Sequence, residues 1–207
     1  MSGQRPSAMS TGEALKFLME GNARYAAGNP TPRDLPAERA ALVDGQSPKA
    51  GVLSCSDSRV VPELIFDQGP GQLFVGRVAG NVLVPAVLAS LEFGVAFLGL
   101  RLIVVMGHSS CEALKAAIRH FEGEDVPSGH IAGLLREIEP ALIRARKVET
   151  GDLLANLCAE NVRQQVAGLR ASPLIVGEGS GEPEVQVVGA LYDLVSGEVS
   201  LLDPPEV

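Results

Sequence analysis

The chain has 207 residues, which suits one domain, and 46% of them are apolar, enough for a sizeable core. Its formal net charge of -8 argues against nucleic acid or an anionic membrane as a partner, because binding to phosphate groups needs a basic surface. The sequence has no apolar run long enough to span a bilayer, and its first residues lack the apolar segment of a signal peptide. We therefore expect a cytoplasmic protein.

The N-terminal part of the sequence predicts helices. Residues 1–10 are small and polar, and we expect them to be disordered, ahead of a single domain over 11–207. A helix is predicted over Thr11–Ala27, where Gly28-Asn29-Pro30 ends it. A shorter helix is predicted over Leu35–Val43.

Further along, strands and helices alternate. Apolar runs predict strands at "KAGVLSCS", "QLFVGRVAG" and "RLIVVMGH". The predicted helices lie between and after these strands, at "PELIFDQ", Val84–Gly99, Cys111–Phe121, Ser128–Arg146 and Asp152–Leu169. The segment "EVQVVGALYDLVSGEVSLLD" predicts a hairpin that turns at Ser196-Gly197. This alternation predicts an α/β fold with a mostly parallel central sheet flanked by helices.

Cysteine and histidine residues follow two of the predicted strands. Cys55 comes directly after the first apolar run, and His108 and Cys111, three residues apart, follow the third. Ligands bind at the carboxyl ends of the strands in such sheets, so these side chains converge if the two strands are neighbours. Two thiolates and an imidazole suit zinc better than cations that prefer oxygen. Cys158, on an apolar helical face, is expected to be a core residue.

Asp57 and Arg59 follow Cys55 at every second position. Asp57 points to the same face of an extended segment as Cys55, so it can become a fourth zinc ligand or accept a hydrogen bond beside the metal. The planar guanidinium of Arg59 can hold that carboxylate away from the metal through a bidentate pair. The sequence therefore predicts that Asp57 and Arg59 act together.

Four segments resemble β-class carbonic anhydrases: "EALKFLMEGNARY", "CSDSRV", "FDQGPGQLFVGRVAGN" and "ASLEFGVAFLGLRLIVVMGHSSC". The resemblance runs from about Thr11 to Asp203. It implies that family's fold, with an N-terminal helical arm beside the sheet, and a homodimer or a dimer of dimers. It also implies a zinc enzyme, carbonate dehydratase, that interconverts carbon dioxide and bicarbonate through a zinc-bound hydroxide.

The resemblance assigns roles to positions of this sequence. The zinc ligands of the family match Cys55, His108 and Cys111, and its catalytic dyad matches Asp57 and Arg59. Its substrate-binding amide matches Gln46, nine residues before Cys55. The apolar substrate wall of the family, part of it from the partner subunit, matches Phe74, Ala79 and Phe93.

Glu112 departs from the family pattern, because the family usually has glycine directly after the second cysteine. A carboxylate there is expected either to stabilise the start of a helix or to add negative charge near the metal, which would raise the pKa of bound water.

Other functions fit the same residues. One is a related zinc hydrolase of a linear heteroallene such as carbon disulfide. Another is a catalytically silent zinc-binding protein that senses bicarbonate. A redox role for Cys55 and Cys111 is a third, more distant alternative, since the sequence has no C-x-x-C pair.

Overall fold

The structure, a computed structural model, describes residues 9–177 and 185–203. The disorder predicted for residues 1–10 falls mostly on positions outside the described ones. Of the last two, Ser10 forms a reciprocal capping box with Glu13 at the start of the first helix. No helix within the described ranges combines the length and apolarity needed to cross a bilayer.

Within the described residues the helices alternate with strands from β1 onward, as the sequence predicts. The helices are α1 Thr11–Ala26, α2 Leu35–Ala40, α3 Pro62–Ile65, α4 Pro85–Leu98, α5 Glu112–His120, α6 Ile131–Arg136, α7 Glu139–Ala145, α8 Leu153–Arg170 and α9 Pro173–Val176. The strands are β1 Ala50–Ser54, β2 Leu73–Arg77, β3 Leu102–His108, β4 Gln186–Tyr192 and β5 Val199–Leu202. A single 3₁₀ turn, Ala79–Asn81, joins β2 to the segment before α4.

The strands form one sheet in the order β2-β1-β3-β4-β5. The first four are parallel, and β5 returns antiparallel to β4, which is the predicted hairpin. This confirms the mostly parallel sheet flanked by helices. Every residue of β1 and β3 is buried, because helices cover both faces of these central strands.

Successive residues of the central strands pack alternately into the hydrophobic cores on the two faces of the sheet. On β1, Val52 packs with Leu18 of α1, whereas Leu53 packs with Leu91 of α4 and Val162 of α8. The parallel pairing of β1 with β3 places the carboxyl ends of these two strands side by side at one edge of the sheet.

The structure differs from the prediction of one helix over Ser128–Arg146. Two shorter helices, α6 and α7, occupy this stretch. Pro140 has no N–H to donate to the carbonyl of Arg136, where α6 ends, and it lies instead in the first turn of α7. The 3₁₀ turn and α9 were not predicted.

Candidate metal centre

Two neighbouring parallel strands bring the predicted ligands together. Ser54, the last residue of β1, pairs with Met106 of β3, so Cys55 and His108 emerge at the same edge of the sheet. Ser110 adopts a positive φ of 55°, which turns the chain so that Cys111 becomes the N-cap of α5. The condition set by the sequence, that the two strands be neighbours, is met.

Cys55, His108 and Cys111 form a compact buried group. Their ligand atoms all lie within 4.8 Å of one another, and the three residues are 3%, 1% and 1% exposed. The two Sγ atoms are 3.9 Å apart and the thiols are free. Zinc–sulfur bonds of about 2.3 Å at a tetrahedral angle would put two sulfurs roughly 3.8 Å apart. The spacing therefore fits a tetrahedral metal ion.

His108 presents one ring nitrogen to this group. Its Nδ1 lies 2.9 Å from the carbonyl oxygen of Ser109, which can only accept a hydrogen bond, so the hydrogen resides on Nδ1. Nε2 is buried and has no hydrogen-bond partner among the described residues. Because a buried polar atom normally has a partner, this lone pair is the feature that a metal ion would satisfy.

Backbone amides surround the sulfur of Cys55. The N–H of Asp57 and that of Gly80 donate to its Sγ at 3.4 Å and 3.3 Å. The hydrogen bond with Cys111 is the main reason that the pKa of the Cys55 thiol falls to about 4, and these two amides act in the same direction. The hydrogen bond to Cys55, together with burial, raises the pKa of Cys111. One of the two thiols therefore ionises readily, whereas ionisation of both requires a cation beside the sulfurs.

Asp57 and Arg59 form the bidentate pair that the sequence predicts. Nε and Nη2 of Arg59 donate to the two carboxylate oxygens of Asp57 at 3.0 Å and 2.7 Å, and the backbone N–H of Arg59 donates at 2.9 Å. These hydrogen bonds hold the pKa of Asp57 well below its usual range. The nearer carboxylate oxygen is 3.9 Å from Nε2 of His108, so the carboxylate lies at the rim of the metal group.

Arg77, at the end of β2, is a site residue that the sequence analysis did not single out. It donates from Nε to the carbonyl of Cys55 at 3.0 Å and from Nη2 to the carbonyl of Asp57 at 2.7 Å. The loop that carries Cys55 and Asp57 is thus fixed by a side chain from the neighbouring strand. The one available signal was the position of an arginine at the carboxyl end of a predicted strand.

Glu112 points away from the metal group. Its carboxylate pairs with Arg119 at 3.0 Å and with Lys115 at 3.5 Å on the surface of α5, and the hydrogen bond from Arg119 is the main cause of its lowered pKa. In this arrangement it does not occupy a coordination position. The contacts favour the first of the two expectations, a residue that stabilises the start of a helix.

The residues expected to contact substrate are only partly assembled. Ala79 lies in the 3₁₀ turn next to Gly80, whose N–H contacts Cys55, and half-buried Phe74 lies on β2 against α4. Phe93 is 48% exposed on α4 and stacks on Phe97, which is 75% exposed. Gln46 is exposed between α2 and β1, and within the described part of the chain it makes no hydrogen bond to the metal group.

Comparison with known proteins agrees with this geometry. A family model described as carbonic anhydrase matches residues 50–199. The carbonic anhydrase of Mycolicibacterium smegmatis is 39% identical over 189 residues, which cover 91% of each chain. The crystal structure of the β-carbonic anhydrase CafA of Aspergillus fumigatus is 26% identical, with a TM-score of 0.70 over 94% of this chain and 91% of that one. The chain belongs to the β-carbonic anhydrase family.

A further solved structure extends the match in fold. A β-carbonic anhydrase from Sordaria macrospora, described as tetrameric, has a TM-score of 0.71 at 22% identity and covers 93% of this chain and 98% of that one. Carbonic anhydrases are lyases, specifically carbonate dehydratases, so the comparisons place the chain in a family of enzymes. The resemblance inferred from the sequence motifs is confirmed.

Proposed function

We propose that this β-carbonic anhydrase binds Zn²⁺ through Cys55, His108 and Cys111 and catalyses the reversible hydration of carbon dioxide to bicarbonate and a proton. The observation that carries the proposal is the buried convergence of two thiols and an imidazole nitrogen that has no hydrogen-bond partner among the described residues. When bound, zinc supplies a Lewis acid that makes water nucleophilic near neutral pH. Three protein ligands leave a tetrahedral ion one further position.

Asp57 is proposed to orient the attacking oxygen. Held ionised by Arg59, the carboxylate can only accept hydrogen bonds, so it accepts one from the O–H of the attacking oxygen and thereby directs a lone pair of that oxygen toward the substrate carbon. Because the guanidinium engages both carboxylate oxygens, it also restrains Asp57 from becoming a fourth ligand.

Carbon dioxide is proposed to lie against the apolar side chains of Phe74, Ala79 and Phe93, with Gln46 donating to the oxygen that gains charge. Phe93 is half exposed in one copy of the chain, and Gln46 is exposed and makes no hydrogen bond to the metal group among the described residues. A site that needs them is therefore incomplete in one subunit, which supports completion by a second copy.

The exposed face of α4 supports a homodimer, or a dimer of dimers. This helix is apolar on nearly every side, and its outer residues Ala86, Ala89, Phe93 and Phe97 are exposed beside β2, an edge strand of the sheet. An exposed aromatic pair on an apolar helix marks a protein interface. We expect Phe97→Arg to shift the molar mass measured by sedimentation toward the monomer. The expected cytoplasmic location and single-domain organisation stay predictions.

Stopped-flow measurement of carbon dioxide hydration by the zinc-loaded protein tests the proposed reaction. We expect a rate well above that of buffer, and lost in the metal-stripped protein. Hydrolysis of carbon disulfide without hydration would instead support a heteroallene hydrolase. Bound zinc with neither reaction would support a bicarbonate sensor.

A further inference from the structure

The 3₁₀ turn that follows β2 has an unusual backbone. Two consecutive residues lie in the left-handed region, Gly80 at φ 70° and Asn81 at φ 46°. Glycine adopts this conformation freely, and asparagine is among the few other residues that enter it, at some cost in energy. A turn of this kind persists only where its surroundings hold it in place.

The turn contacts the metal group through its backbone. The N–H of Gly80 donates to the sulfur of Cys55, 3.3 Å away. The adjoining residue Ala79 is part of the proposed substrate wall. The position of this short segment therefore affects both a ligand sulfur and the substrate pocket.

Two buried amide side chains of α8 hold the turn from behind. Nδ2 of Asn161 donates to the carbonyl of Gly80 at 2.8 Å, and its Oδ1 accepts from Nε2 of Gln165 at 3.0 Å. Oε1 of Gln165 in turn accepts from the N–H of Leu83 at 2.9 Å. Asn161 is 0% exposed and Gln165 is 5% exposed. Asn161 and Gln165, one helical turn apart on α8, thus form a hydrogen-bonded relay that holds the segment at Gly80 and at Leu83.

We propose that Asn161 and Gln165 are positioning residues for the metal centre. They act indirectly, because they hold the turn whose Gly80 N–H donates to the sulfur of Cys55. The inference rests on the proposed function, because it needs a metal at Cys55. A hydrogen bond from an amide stabilises the charge on a thiolate ligand, and partners of this kind beyond the ligands tune metal affinity. The relay fixes where that donor lies.

The matching control is Asn22, a second buried asparagine that binds backbone groups on the other face of the sheet. Its Nδ2 donates to the carbonyls of Ile65 and Gly197 at 3.1 Å and 2.9 Å, and its Oδ1 accepts from the N–H of Val199 at 2.8 Å. None of these groups contacts the metal ligands among the described residues. Asn22→Leu therefore removes the same kind of buried hydrogen bonds without touching the turn.

The experiment compares Asn161→Leu, Gln165→Met and Asn22→Leu with the wild type in two measurements. The first is the zinc dissociation constant, determined by competition with a chelator. The second is the thiolate-to-cobalt charge-transfer absorption of the Co²⁺-loaded proteins. Gln165→Met removes only the outer amide of the relay, so it serves where Asn161→Leu folds poorly.

We expect Asn161→Leu to bind zinc roughly 10-fold to 100-fold more weakly, the range typical of partners beyond the ligands. Its charge-transfer band should move to longer wavelength, because a sulfur that loses a hydrogen-bond donor has higher-energy lone pairs. Gln165→Met should show smaller changes in the same directions, and Asn22→Leu neither. Unchanged affinity and absorption in both relay variants, or equal changes in Asn22→Leu, would overturn the inference. A wild type that binds no metal would overturn the proposed function instead.

Discussion

Arg59 acts on Asp57 in two ways, since it holds the carboxylate in place and it keeps the carboxyl group ionised. Replacing Arg59 shows which of the two matters for activity. Arg59→Ala removes the two guanidinium hydrogen bonds to Asp57, at 3.0 Å and 2.7 Å, and a longer one to the carbonyl of Ser110 at 3.4 Å, and it keeps the backbone one at 2.9 Å. The freed carboxylate starts 3.9 Å from Nε2 of His108, close enough to swing onto a metal ion there. Arg59→Lys keeps the charge but lacks the planar fork that engages both oxygens.

The pKa of Asp57 decides how the loss should depend on pH. Arg59 holds this pKa well below its usual range, so its removal raises the pKa toward the ordinary value of about 3.9. At pH 7 only about one carboxyl in a thousand would then be protonated. Loss of activity at pH 7 and above would therefore not come from protonation of Asp57, and we expect it to come from misplacement of the ionised carboxylate.

We expect Arg59→Ala to retain zinc and to lower the hydration rate by roughly 10-fold to 100-fold, as is usual for residues that orient a metal site from outside. Arg59→Lys should recover little of it. The measurement is stopped-flow hydration between pH 7 and 9 with the metal content determined. Arg163→Ala is the matched control, because Arg163 forms a similar fork with Asp203 on the surface. Wild-type activity in Arg59→Ala, or full recovery of activity in Arg59→Lys, would refute the reasoning.

Three further predictions concern residues around the site and the arm. Glu112→Gln should leave the midpoint of the pH–rate profile unchanged, since Arg119 and Lys115 already neutralise the carboxylate; a midpoint at lower pH would contradict this. Asp67→Asn should lower the free energy of unfolding by about 1–3 kcal/mol at pH 7, because Asp67 is 3% exposed on its side chain and accepts from Thr31 and Arg24. Burial raises the pKa of Asp67, but these hydrogen bonds outweigh it and leave the pKa lowered. The stabilisation that Asp67 provides is therefore present above about pH 4 and is lost as the pH falls further. The free energy of urea unfolding should differ less between pH 7 and pH 3 in Asp67→Asn than in the wild type. Cys158→Ala should keep full zinc, since its thiol donates to the carbonyl of His108 and lies outside the group of Cys55, His108 and Cys111; metal analysis showing zinc loss would contradict this.

The sheet and the convergence of Cys55, His108 and Cys111 could be predicted from the sequence because their signals are local. Apolar runs such as "RLIVVMGH" predict buried strands, and a ligand directly after a strand lies at a known edge of a parallel sheet. The bidentate pair of Asp57 and Arg59 followed from their spacing and chemistry.

The supporting contacts could not be predicted, since they join distant parts of the chain. Arg77 reaches the carbonyl of Asp57 from another strand, and Asn161 reaches Gly80 across 81 positions. The glycine and asparagine of "AGN" permit a positive φ, but nothing local shows what such a turn would contact, and an amide on a predicted helix is usually on the surface. The break between α6 and α7 was missed because the apolar pattern continues through Pro140.

The central claim is that the buried Cys55, His108 and Cys111 group holds a catalytic zinc. The most direct measurement is a titration of metal-stripped protein with Zn²⁺, following carbon dioxide hydration in the wild type and in Cys55→Ala. We predict that the wild-type rate rises in proportion to added zinc and reaches a plateau at one equivalent per chain, whereas Cys55→Ala neither retains zinc nor gains activity. Hydration by the metal-stripped wild type, or full zinc content and activity in Cys55→Ala, would contradict the account.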